Sequence, residues 1–98
     1  MRQFHCEITG ISHHKKAFFS LDLDSDNHTI ALEEEPDNQY DPNAIKVILD
    51  GKHIGYVPAK KCKKVKKILQ KHTITETRYV REHDELDNYF NYFYMWYR

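Results

Sequence analysis

AIKVILDGKHIGYVPAKKCKKVKKILQK, from Ala44 to Lys71, is the stretch that decides the fold. Its first half is two short β-rich runs, AIKVIL and KHIGYV, separated by Asp50-Gly51. A type I′ turn demands positive φ at both central residues, which Asp-Gly tolerates, so the segment predicts a tight hairpin. At Pro58 the period changes. Proline's fixed φ suits the first turn of a helix, and Cys62, Val65, Ile68 and Leu69 then recur on one stripe. Lysines fill the other positions. The segment predicts a helix that buries one stripe and solvates the rest, with Cys62 as a core thiol.

Outward from that centre, QFHCEITGI alternates Phe4, Cys6 and Ile8 against Gln3, His5 and Glu7, the period of a half-buried strand. Gly10 marks a bulge or tight bend. KAFFSLDL admits a strand or a short helix, the strand being preferred, and HTIALEEE is a further strand that ends at Pro36. Beyond the helix, TITETRYVREHD and YFNYFYMWYR read as two long strands joined near Glu85–Asn88. Strands dominate, with one helix near the fourth and fifth of them. Ninety-eight residues make one domain. In a chain this short a small OB-like β-barrel with one inserted lysine-rich helix protects its edges better than a sandwich does.

The totals bound the class. Charge is high, yet aromatics reach 13% of the chain, which marks a folded domain with a wet surface. Two cysteines, Cys6 and Cys62, are too few for a disulfide framework and are expected to be reduced, which makes a cytoplasmic location the default. MRQFHCEITG has no apolar core of signal-peptide length, and no apolar run is long enough to span a membrane. The zero net charge conceals a division. Between Asp22 and Asp41 there are eight acids and no Lys or Arg; between Lys52 and Lys71 there are eight lysines and no acid. A lysine cluster of this kind holds polyphosphate by counterion release without any global positive charge, or serves as a solvated helix face.

The loop before the hairpin asks a further question. EPDNQYDPNAIKV, Glu35–Val47, packs Pro36, Asp37, Asn38, Asp41, Pro42 and Asn43 around a single aromatic, Tyr40. A plain turn needs two or three such residues, so this is either an elaborate corner or a site. On the first reading Asp41 caps a turn before Pro42-Asn43 and Tyr40 packs on the barrel's end.

These residues also carry a resemblance. A strand ending in Glu-Pro, then Asn38, Tyr40-Asp41, Asn43-Ala44-Ile45-Lys46-Val47, a glycine turn and IGYVP is similar to the HIRAN domain. The likeness runs from about Ile30 to Leu69 and loosely through the first strand to TGI. It implies a modified OB-like barrel and, from the best-studied members, binding of single-stranded DNA at a free 3′ end in DNA repair or processing. Carried across, it implies that Tyr40 stacks on the terminal base, Asp41 accepts a hydrogen bond from the 3′-hydroxyl, and Asn38 holds the terminal nucleotide. The chain departs from DNA-binding members where they carry a basic residue after the first-strand glycine, here Ser12 followed by His13 and His14. It departs again at Ala59, with Lys60 and Lys61 next to it.

The full expectation is a non-catalytic module in which Asn38, Tyr40, Asp41, His13 and His14 hold the strand end while Lys60, Lys61 and Lys64 draw in upstream phosphates. The alternative is a protein-interaction or self-associating barrel that has lost DNA binding. The seven aromatics between Tyr89 and Tyr97 feed that alternative. One face of the strand they form must supply core, and an uncovered second face favours a homodimer. No metal site is expected, because His5 and Cys6 point to opposite faces of one strand and His13-His14 has no second ligand pair of suitable spacing. No phosphate loop or nucleophile motif is present, so neither a cofactor nor catalysis is expected.

Overall fold

A computed structural model of the chain describes residues 1–19, 21 and 28–98. Among these the strands are β1 (Arg2–Glu7), β2 (Ile30–Glu34), β3 (Ile45–Leu49), β4 (Lys52–Tyr56), β5 (Ile74–His83) and β6 (Tyr89–Tyr97). Two helices join them, α1 (Lys15–Phe19) and α2 (Cys62–Lys71). The strands form two antiparallel sheets, in the orders β1-β6-β5 and β2-β3-β4. The chain just after β1 links the sheets: Thr9 N–H donates to Tyr56 O at 2.9 Å and Tyr56 N–H to Thr9 O at 2.8 Å. Across the other gap, Ile30 of β2 and the Thr77 hydroxyl of β5 meet at 3.4 Å. The result is a small OB-like barrel, mainly β, with the lysine-rich helix between β4 and β5.

The local chemistry behaves as the sequence predicts at the centre. Asp50 and Gly51 both take positive φ, 52° and 83°, and turn β3 into β4 with Ile48 paired to His53 and Leu49 to Lys52. Ile45, Val47 and Leu49 alternate inward and lose all exposure, as do Ile54, Val65 and Phe93. Each such side chain contributes about 1.5–3 kcal/mol of apolar burial. Helix α2 lays Cys62, Val65 and Ile68 into this core, with Leu69 at its margin. Phe93, Met95 and Tyr97 supply the core face of β6.

The preferred strand at KAFFSLDL is corrected where it can be seen: Lys15–Phe19 is helical, and the remainder of that stretch apart from Leu21 lies outside the described residues, as do Asp22, Asp24 and Asp26. The cause is tertiary. Gly10, at φ 78°, turns the chain away from the seam into a 3₁₀ turn at Ile11–His13, and Phe18 N–H then donates to His14 O at 3.0 Å. That helical turn carries Phe18 into the core at 4% exposure.

The seam also fixes one residue type. A Cβ on Gly55 would stand 2.4 Å from Thr9 O and 2.8 Å from Ile8 Cγ2, so only glycine lets β1 approach β4 this closely. Gly55→Ala is expected to destabilise the barrel by about 1–3 kcal/mol through overpacking at the seam, read as a lower urea midpoint. An unchanged midpoint would mean that the seam shifts freely.

Candidate functional site

The loop from Glu35 to Ala44 joins β2 to β3, and its turn-formers have specific employment. The backbone closes on itself through Glu35 N–H to Ala44 O at 2.9 Å, Asn38 N–H to Glu35 O at 3.1 Å and Ala44 N–H to Asp41 O at 3.0 Å. Asn38 Oδ1 accepts from two further backbone donors, Tyr40 N–H at 2.8 Å and Asp41 N–H at 2.9 Å. Asp41 Oδ1 accepts from Asn43 N–H at 2.9 Å. Short polar side chains thus satisfy donors that an irregular segment leaves without helix or sheet partners.

Glu35 anchors this loop to the barrel. Its Oε1 accepts from Asn38 Nδ2 at 2.6 Å and from the Tyr56 hydroxyl at 3.0 Å, while Oε2 meets Lys46 Nζ at 3.1 Å. Those donors, Asn38 first and then Lys46, hold the Glu35 carboxyl below its ordinary value, and the same bond raises Lys46. Burial and then the bond to Glu35 push the Tyr56 phenol up. From α2, Lys66 Nζ donates to Asn43 Oδ1 at 3.0 Å and stands 3.6 Å from Glu34. Strand, hairpin and helix all grip the one loop.

What the grip achieves is exposure. Tyr40 keeps its backbone bonded and its ring 96% exposed, the most exposed large apolar side chain among the described residues. Beside it lies a hollow of about 600 Å³ lined by Gly10, His13, His14, Glu35, Asp37, Asn38, Gln39, Tyr40 and Tyr56. Two of its lining rings share a neighbour: His14 lies 4.2 Å from His53 between ring centroids, and His53 meets Tyr56 edge-on at 4.8 Å. Burial, and secondarily the proximity of His14, lowers the His53 pKa, and His53 Nε2 donates to Gly55 O at 2.9 Å. Asp41 lines a second hollow, of about 260 Å³, that shares Asn38, Tyr40 and Tyr56 with the first.

The structure therefore brings Asn38, Tyr40, Asp41, His13 and His14 together around adjoining hollows. Lys60 and Lys61 belong to the turn at Ala59–Lys61, and neither they nor Lys64 lines these hollows. Lys64 Nζ instead lies 5.5 Å from the centre of the Phe4 ring, and the Lys61 charge bears on Cys6. Asp41 Oδ1 caps the turn, and Asp41 also lines the smaller hollow. Sequence reasoning missed Glu35, Lys46, His53 and Tyr56. Glu35 and Tyr56 stand within the Glu-Pro and IGYVP landmarks, but their pairing across 21 positions has no local signature.

Elsewhere the thiols are free and buried, and burial pushes Cys6 up to about 12. Among the described residues no group of three or more His, Cys, Asp and Glu is placed to hold a metal, and no helix is long and apolar enough to cross a membrane. The second face of β6 is half-covered: Tyr94 stacks on His5 at 4.9 Å, and Arg78 lies over Trp96 at 5.9 Å. Tyr89 and Phe90 stay 53% and 36% exposed.

Comparison with known proteins supplies one match. Residues 1–96 of the 98 fit the family model of the HIRAN domain. No curated protein and no solved structure matches.

The Glu35 hub makes the loop acid-sensitive. Its folded carboxyl titrates below the unfolded value of about 4.5, so its stabilisation is complete above that pH and is lost as pH falls through the folded value. Glu35→Gln is therefore expected to flatten the acid limb of the stability curve, read by thermal unfolding at stepped pH. An acid limb as steep as that of the unaltered protein would remove Glu35 from this role.

Proposed function

This chain belongs to the HIRAN family, and from that membership we propose that it takes the free 3′-hydroxyl end of single-stranded DNA as a non-catalytic module. Family membership supports the coarser part, a nucleic-acid-binding module. The observation that supports the finer part is the Tyr40 ring, held by Asn38 at 96% exposure beside an aromatic hollow. A ring left in water on a loop whose backbone is fixed by hydrogen bonds makes no ring contact with another described residue. Against a nucleobase it gains a stacking contact of about 1–3 kcal/mol, indifferent to sequence because every base has a π-face.

The remaining groups divide the work by their chemistry. Asp41, in the lining of the smaller hollow, accepts from a hydroxyl and repels a terminal phosphate, so it distinguishes the two kinds of strand end. Asn38 fixes the backbone on which Tyr40 and Asp41 stand. His13 and His14 line the same hollow, where an imidazole face meets the other side of the base. Lys60, Lys61 and Lys64 act at longer range, raising the local concentration of a polyanion rather than gripping its end. The buried free thiols suit a reducing cytoplasm, and DNA repair or processing is the setting an end reader serves.

A second reading keeps the barrel and assigns it to protein contacts or a homodimer. It is favoured by Leu86, Tyr89 and Phe90, exposed together at the β5–β6 turn, and by Ser12 and Ala59 at positions where DNA-binding relatives are basic.

Fluorescence anisotropy with short labelled strands separates the two. Strands ending in a 3′-hydroxyl are expected to bind more tightly than strands ending in a 3′-phosphate or than blunt duplex. Tyr40→Ala is expected to weaken binding by about 1–3 kcal/mol, and Asp41→Ala to abolish the end preference while sparing binding. A concentration-dependent dimer in sedimentation, with no strand bound at low salt, would replace this reading by the second.

A further inference from the structure

The hollow beside Tyr40 does not end at its histidines. His13 and His14 line it and also line a second trough of about 580 Å³, whose other walls are Lys15, Lys16, Ala17 and Lys52. One pair of rings is thus the shared wall between an aromatic, acid-rimmed pocket and an open, lysine-rimmed one. The smaller hollow of about 260 Å³ that shares Tyr40 offers Thr9, Ala44, Val57 and Ala59 and no cation in its lining.

We propose that a single strand whose 3′ end rests at Tyr40 and Asp41 leaves over His13 and His14, its next phosphates held by Lys15 and Lys16. The inference rests on the end-binding reading above and deepens it, giving the strand a direction and a second contact zone.

The charges around the pocket leave little choice of route. Glu35, Asp37 and Asp41 rim the Tyr40 loop, and two lysines packed against it are engaged, Lys46 by Glu35 and Lys66 by Glu34 and Asn43. A phosphate following the terminal nucleotide meets repulsion along that side. Lys15 and Lys16 are exposed on α1 and enter no ion pair with another described residue. A flexible ammonium with its charge unspent gains most from a phosphate that releases counterions on binding. Two lysines of α2 are turned elsewhere, Lys64 onto Phe4 and Lys66 onto the loop, and no α2 lysine lines either hollow or the trough.

The test compares a 5′-labelled thymidine dinucleotide with the octanucleotide, both ending in a free 3′-hydroxyl, by anisotropy over a salt series. The octanucleotide is expected to bind the unaltered protein more tightly than the dinucleotide. Lys15→Ala combined with Lys16→Ala is expected to remove most of that gain and to lower the slope of log affinity against log salt by about 1.4, two phosphates at about 0.7 each. The same pair should leave the dinucleotide unchanged. Lys60→Ala combined with Lys64→Ala is expected to weaken both lengths alike and to keep the length gain. If the length gain survives loss of Lys15 and Lys16 but disappears with Lys60 and Lys64, the route proposed here is wrong while the Tyr40 end site stands. If the dinucleotide binds equally well with Tyr40→Ala, the end site itself is wrong and the route falls with it.

Discussion

Two reciprocal backbone hydrogen bonds between Thr9 and Tyr56 hold the molecule's two sheets together, and everything functional depends on them. A three-stranded sheet alone leaves two edges open and one face of its apolar side chains wet. Joining β1 to β4 removes an edge from each sheet and lets Phe4, Cys6 and Ile8 from one meet Ile54 and Val57 from the other. The junction requires backbone to approach backbone without an intervening side chain, which Gly55 permits. The Thr9 hydroxyl adds a third bond to Tyr56 O at 3.1 Å.

The same seam reaches the site through Tyr56. Its backbone is fixed by Thr9, its ring meets the edge of His53, and its hydroxyl donates to Glu35. Glu35 in turn holds Asn38, and Asn38 holds the amides of Tyr40 and Asp41. A chain of named contacts therefore runs from the barrel's closure to an exposed ring. Order of this kind, set before any ligand arrives, lowers the conformational entropy that a binding loop loses on association. The loop's own carboxylate is the weak point, because protonating Glu35 loosens both ends of the relay.

Charge is arranged by the same economy. Net neutrality hides a loop whose cations are spent internally and a trough where Lys15 and Lys16 face solvent. Lys46 and Lys66 are structural; they neutralise Glu35 and Glu34 and so let an acidic loop pack against the barrel. Residue type alone does not separate such lysines from those at Lys15 and Lys16. Partnership does.

Much of the fold was legible because its signals are local. Asp50-Gly51, the stripe from Cys62 to Leu69 and the alternation of Phe4, Cys6 and Ile8 are each determined by neighbours a few residues away, and period and turn chemistry report such neighbours directly. The site's identity was legible for a related reason: Asn38, Tyr40 and Asp41 lie within four positions of one another. What the sequence could not show is which distant groups meet. Lys15–Phe19 became helical because a left-handed Gly10 and a vacancy for Phe18 in the core override a strand-like composition. Glu35 and Tyr56 pair across the loop, and His14 lies on His53 across the barrel mouth, because closure brings β1, β2 and β4 to one place. Chain identity determined the turns, the stripe and the loop's own hydrogen bonds; the tertiary structure alone decided which cations are spent and which remain, since that depends on distances through space that no spacing along the chain encodes.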